Sequence, residues 1–186
     1  AFNCLKQVKL DAFNQNKAFL GKLLSDKEKE PYYIADIMSN AQRRGEIEGK
    51  YDDAVARLYR VMELIGQYQL KKYGIEDTSS VSVEDIPQEL KQEWHIEGKV
   101  KIKIALEKDY RFLAAKGDKL GENFRQDKEL RNLLSKRNSS ILAHGLVSVT
   151  ENTYYGLKAK TASYASQAVK NLNQLLDMST FLKWPE

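Results

Sequence analysis

Apolar residues recur at intervals of three, four and seven along nearly the whole chain, and that period predicts α-helices. Leu5, Val8, Ala12, Phe19 and Leu23 share one face of a first helix. A charged break follows at 25–30. Pro31 suits the first turn of a second helix, because its missing N–H needs no partner there. Ile34, Ile37, Met38 and Ala41 form that helix's stripe, with Gly45 and Gly49 marking its end. The clearest stripe lies within 51–73: Ala54, Val55, Leu58, Val61, Met62, Ile65 and Tyr68. Its polar side pairs Asp53 with Arg57 and Arg60 with Glu63, at helical spacing. Gly74 stops it.

Residues 75–87 read as a loop. Val81, Val83 and Ile86 suit a short strand, but no partner strand is evident. Val100, Ile102 and Ile104 alternate locally, yet the continuation through Leu106, Tyr110 and Leu113 is helical, so 99–116 reads as a helix. Leu130, Leu133, Leu134, Arg137, Ile141 and His144 form a further stripe that ends at a capping Gly145. Thr150 or Asn152 caps a final helix, whose inner face runs from Leu157 through Thr161, Tyr164, Ala165, Ala168 and Leu172 to Leu176. The pattern predicts an all-α fold, a bundle of five to six helices with short connections.

Composition narrows the chemistry. The 186 residues make one ordinary domain, large enough to bury a core unaided. One cysteine, Cys4, excludes an internal disulfide and a cysteine-rich zinc site. Two histidines, His95 and His144, exclude a multi-histidine metal centre. No segment approaches the length of a membrane span. The first residues lack the basic flank and apolar run of a signal peptide, and they lack an initiator Met, so a processed protein or a piece of a longer one is expected. Net charge is +4, but residues 116–176 hold ten Lys or Arg against five acids, an excess of +5. That local excess suits a nucleic-acid backbone, and it also suits an ordinary solvated face.

The positive region contains Lys136-Arg137-Asn138-Ser139-Ser140-Ile141-Leu142-Ala143-His144-Gly145. Arg137 and His144 are seven apart, so they share a helix face with the leucines, and Ser140 falls between them. An arginine on an apolar stripe needs a partner, since an unpaired buried charge is costly. Arginine fixes phosphate and stabilises charge developing on phosphorus. Histidine moves protons near neutral pH. Together with Asn138 they suit RNA phosphodiester cleavage, in which the 2′-OH is the nucleophile and no metal is required. A structural arginine and a helix-capping histidine explain the same spacing without chemistry.

Arg137-Asn138, five residues and His144 resemble the R-N/D/H-x4–5-H pattern of HEPN ribonucleases. With Glu48-Gly49-Lys50-Tyr51-Asp52-Asp53-Ala54-Val55-Ala56-Arg57-Leu58-Tyr59-Arg60, the segment resembles the C-terminal HEPN region of a type III CRISPR-associated family. The resemblance spans roughly 30–180. It implies a HEPN-like helical domain over 31–186, preceded by 1–30, either a remnant linker or a bundle helix. It implies a homodimer whose paired motifs form one metal-independent endoribonuclease site acting on single-stranded RNA in antiviral defence. Arg137, Asn138 and His144 are then catalytic, and Ser140, Lys136 and Arg131 contact RNA; apart from the resemblance, the polar stripe with Arg60 and Glu63 reads either as an ion-paired surface or as support for the site, with Glu63 the carboxylate partner that Arg137 needs. Products are a 2′,3′-cyclic phosphate and a 5′-hydroxyl. No cofactor is implied. A cyclic oligoadenylate activator would bind a CARF sensor that this chain, without a glycine-rich βαβ unit, does not show. The implied location is the prokaryotic cytoplasm.

Two other readings stay open: a non-catalytic helical dimer that binds RNA or a protein partner, and a toxin or antitoxin-like partner of a nucleotidyltransferase. Tyr154, Tyr155 and Tyr164 either stack bases or serve the core. His95 has no ligand residues at metal-binding spacing and reads as structural or solvent-exposed, and Cys4 has no base nearby in sequence to make it a nucleophile.

Overall fold

A computed structural model of the chain describes residues 2–25, 29–138 and 148–180, with side chains for 10–25, 29–137 and 148–180. The described helices are α1 (Phe2–Leu23), α2 (Glu30–Gln42), α3 (Tyr51–Leu70), α4 (Gln88–Glu93), α5 (Leu106–Ala115), α6 (Lys119–Gln126), α7 (Lys128–Asn138), α8 (Glu151–Ala168) and α9 (Leu172–Ser179). Two short strands, β1 (Val81–Ser82) and β2 (Lys101–Ile102), pair antiparallel. The all-α bundle expected from the stripes is what forms, although it is cut into more and shorter helices than the stripes suggest.

Helix α3 is the hub. Ala54, Val55, Leu58, Val61, Met62 and Ile65 are at most 1% exposed. Burial of each large side chain contributes roughly 1.5–3 kcal/mol. α2 and α8 flank α3, and α5 and α7 close against it. Its predicted ion pairs form: Arg57 with Asp53, and Arg60 with Glu63 at 2.9 Å. The helix tightens into a 3₁₀ turn at 71–73 before Gly74, whose φ of 80° ends it in the left-handed region that favours glycine.

The structure departs from the sequence reading in three places. Gly45 does not end α2. It sits inside a π-helical turn, Arg43–Ile47, where an added Cβ would come within 2.5 Å of the Tyr154 ring. Residues 99–116 are not one helix: Lys101–Ile102 is a strand, and α5 starts at Leu106. The strand is the partner missing from the loop at 75–87, with Val81 opposite Ile102 and Ser82 opposite Lys101. Backbone bonds from Val83 to Val100 (3.0 Å) and Ile104 to Thr78 (2.9 Å) extend the pairing. Ile102 and Ile104 gain burial there, which outweighs the helical continuation that the sequence suggests. The last stripe is likewise two helices. Asn171 adopts φ 57° between α8 and α9, and the break lets α9 fold back on α1 and α2.

Tertiary hydrogen bonds hold the ends. Asn16 Nδ2 donates to the carbonyl oxygens of Met178 (2.6 Å) and Thr180 (3.0 Å), tying α1 to α9. The Ser39 and Ser179 hydroxyls hydrogen-bond in the α2–α9 contact. Tyr110 stacks on Phe124 at 4.2 Å, with Tyr164 edge-on to both, which joins α5, α6 and α8. Among the described residues, no helix is long and apolar enough to cross a membrane.

Candidate functional site

Helix α7 starts where Asp127 accepts a hydrogen bond from the Leu130 N–H at 2.9 Å. Leu130, Leu133 and Leu134 then pack into the core. Arg137 is next on that stripe. The stripe meets α3, and the Arg137 guanidinium carbon lies 4.5 Å from the centroid of the Tyr59 ring. That distance is within cation–π range. Arg137 therefore faces protein, as its place among leucines predicts. Burial pushes the Tyr59 hydroxyl above its ordinary range, with nearby Glu63 adding to the shift and Arg137 opposing it. The ring beneath the guanidinium is thus a neutral phenol.

The other predicted residues are placed as follows. Lys136 is exposed on α7, and Arg131 is half-buried. Arg60 and Glu63 pair with each other on the outer flank of α3 and line an open cavity of 580 Å³ with Lys29, Lys71 and Lys103. Asn138 is the last described residue of α7, and its side chain, Ser140 and His144 lie outside the described residues, as does the expected cap at Gly145. Lys160 bridges Asp127 (3.0 Å) and Glu129 (2.9 Å), acids already counted in the excess of 116–176, and Lys158 pairs with Glu46, which lies outside that span and offsets one positive charge. Tyr154 and Tyr164 are core residues, 0% and 3% exposed, whereas Tyr155 reaches solvent. His95 is exposed.

Residues 149–150 are held to the starts of α3 and α8. The Val149 N–H donates to Asp52 Oδ1 at 3.2 Å. The Thr150 side chain caps α8 by accepting from the Thr153 N–H, as one of the two sequence candidates predicts. Tyr51 packs its ring 5.7 Å from that of Tyr154. The first turns of α3 and α8 are thereby joined.

The model of the Csm6 HEPN domain family matches residues 23–168. That span holds both the 48–60 stretch and the whole Arg137–His144 segment. The chain belongs to the Csm6 HEPN domain family. It is thus a CRISPR-associated, ribonuclease-like domain. No curated protein and no solved structure matches it.

Three residues of this region escaped the sequence reading. Tyr59 and Asp52 stood in the quoted 48–60 stretch, but nothing local says that one meets Arg137 and the other Val149. Asp109 did leave a signal: it falls three after Leu106 and four before Leu113, on the inner stripe of α5. It is 0% exposed, and neither carboxylate oxygen has a hydrogen-bond partner among the described residues. Burial, with a smaller contribution from Glu63, pushes its pKa up to about 7.

Proposed function

We propose that this domain is a metal-independent endoribonuclease that cleaves single-stranded RNA in CRISPR antiviral defence. The observation that carries the reading is the family match across the Arg137-Asn138…His144 segment. The described part of that segment agrees with it: the Arg137 guanidinium lies over the ring of Tyr59.

Arg137 binds the scissile phosphate and stabilises negative charge on the pentacoordinate phosphorus. The substrate 2′-oxygen attacks phosphorus as its proton leaves. The bond from phosphorus to the 5′-oxygen breaks, and that oxygen takes up a proton. His144 acts in this proton transfer, or holds one of the two oxygens, and Asn138 orients His144 or the phosphate. The products are a 2′,3′-cyclic phosphate and a 5′-hydroxyl. Ser140, Lys136 and Arg131 contact the RNA backbone, and Arg60 and Glu63 support the site from α3. One chain supplies one arginine and one histidine of the motif. The working unit is therefore a homodimer, whose two-fold axis brings two motifs into one groove. No cofactor takes part, and a cyclic oligoadenylate activator acts on a sensor domain rather than on this bundle.

The test is incubation of the dimeric protein with end-labelled single-stranded RNA in EDTA. Cleavage is expected, ending in cyclic phosphate and 5′-hydroxyl termini. Arg137→Ala and His144→Ala are expected to lower kcat by about 100-fold or more while keeping the helical circular dichroism. Tight RNA binding with no cleavage by the wild type would establish the non-catalytic helical dimer instead.

A further inference from the structure

Eleven residues, 138–148, separate Arg137 from Val149. A chain of that length can extend to about 40 Å. Its two flanks are nevertheless fixed on one helix. Arg137 rests on Tyr59, and Val149 donates to Asp52. Asp52 and Tyr59 are seven residues apart on α3, hence on the same face and about 10 Å from each other along the axis. The two contacts join residues 78 and 97 positions apart in the chain, so neither follows from local helix geometry.

We propose that Tyr59 and Asp52 are positioning residues that act on the motif segment from both sides. Tyr59 sets the direction of the Arg137 guanidinium where the segment begins, and Asp52 fixes the backbone at Val149 where it ends. The inference rests on the ribonuclease reading for its catalytic consequence, but not for the two contacts themselves.

Each contact has a chemical requirement. A guanidinium over a ring needs the π-face and not the hydroxyl, so phenylalanine satisfies it and leucine does not. The hydrogen bond from the Val149 N–H to Asp52 needs a short side chain with an acceptor oxygen, so asparagine satisfies it and alanine does not. Surrounding groups keep α3 and α8 together when either contact is lost: the Tyr51 ring still packs on Tyr154, and Leu58 and Leu157 remain in the core. A global loss of fold is therefore not expected from either change.

The experiment uses the full chain and two kinds of measurement. In RNA cleavage, Tyr59→Leu and Asp52→Ala are expected to lower kcat by about tenfold or more with KM changed by less than about twofold. Tyr59→Phe and Asp52→Asn are expected to retain most of the wild-type kcat. Independently of activity, Asp52→Ala is expected to speed hydrogen exchange at the Val149 amide by about threefold or more, with Asp52→Asn restoring it. A double-mutant cycle in urea unfolding is expected to show that Tyr59→Leu costs less in the Arg137→Ala background than in the wild type. If the wild type does not cleave RNA, the ribonuclease reading fails, while exchange and the cycle still decide the two contacts. Wild-type kcat in Tyr59→Leu and Asp52→Ala overturns the positioning roles. Unchanged Val149 exchange or zero coupling to Arg137 overturns the contact on which that role stands.

Discussion

Asp109 shows what one buried carboxyl does to the pH response of a fold. It lies against Gly66 of α3, with its oxygens unpartnered among the described residues. Its pKa of about 7 lies above the ordinary 3.8. The folded state therefore holds a proton between those values that the unfolded state releases, so this group's contribution to stability falls as pH rises from about 4 to about 7. The size of the effect is on the order of 4 kcal/mol when fully expressed. Asp109→Asn removes the titration. The difference in urea midpoint between wild type and Asp109→Asn is expected to favour the variant increasingly from pH 5 to pH 8. A constant difference across that range would mean that Asp109 stays ionised in the fold. Its neighbour Glu63 acts in the same direction on Asp109 but is paired with Arg60, so it is the weaker contributor.

The π-helical turn at Arg43–Ile47 ranks with the helices as an element with its own packing requirement. It places Gly45 against the Tyr154 ring, and Tyr154 in turn sits beside Tyr51 at the α3–α8 junction. The ring is wholly buried, and its hydroxyl approaches Glu46 at 3.3 Å. A methyl group at position 45 must displace that ring. Gly45→Ala is expected to destabilise the protein by about 1–3 kcal/mol, read as a lower urea midpoint with an unchanged m-value. Destabilisation below about 0.5 kcal/mol would show that the ring moves freely. The short β1–β2 pair behaves in a comparable way. Its alternating residues are visible at both ends, but a pairing across the eighteen residues between the strands cannot be chosen from either segment alone.

The bundle is closed by contacts between its sequence extremes. α1 and α9 meet through Asn16, whose amide satisfies two carbonyls at the end of α9. The outer side of α1 keeps Leu10 and Phe13 about half exposed, so burial of Phe19 and the Asn16 bonds hold most of its described length in place. Asn16→Ala leaves those carbonyls without the amide and is expected to cost about 1–3 kcal/mol. Hydrogen exchange is expected to rise in α1 and α9 first and to stay slow in α3. Uniform acceleration across all helices would indicate that α1 unfolds only with the whole molecule. Charge is also redistributed at this scale. Lys158, part of the sequence excess in 116–176, is spent on Glu46 from outside that span, whereas Lys160 pairs with Asp127 and Glu129, which that excess already counts.

By itself the sequence determined the helical class, the buried face of α3 and the inward aim of Arg137. All three follow from three- and four-residue spacing within a single helix, where backbone geometry fixes which side chains share a face. The motif residues were legible for the same reason, because Arg137 and His144 lie within one local segment. Only the tertiary structure decided which α3 residues meet that segment, which strand pairs with Val81, where the last helix breaks, and how deeply Asp109 is buried. These depend on how separate elements pack, and the energy that chooses among packings comes from surfaces remote in sequence. Tyr59 under Arg137 and Asp52 on Val149 are contacts of that second kind.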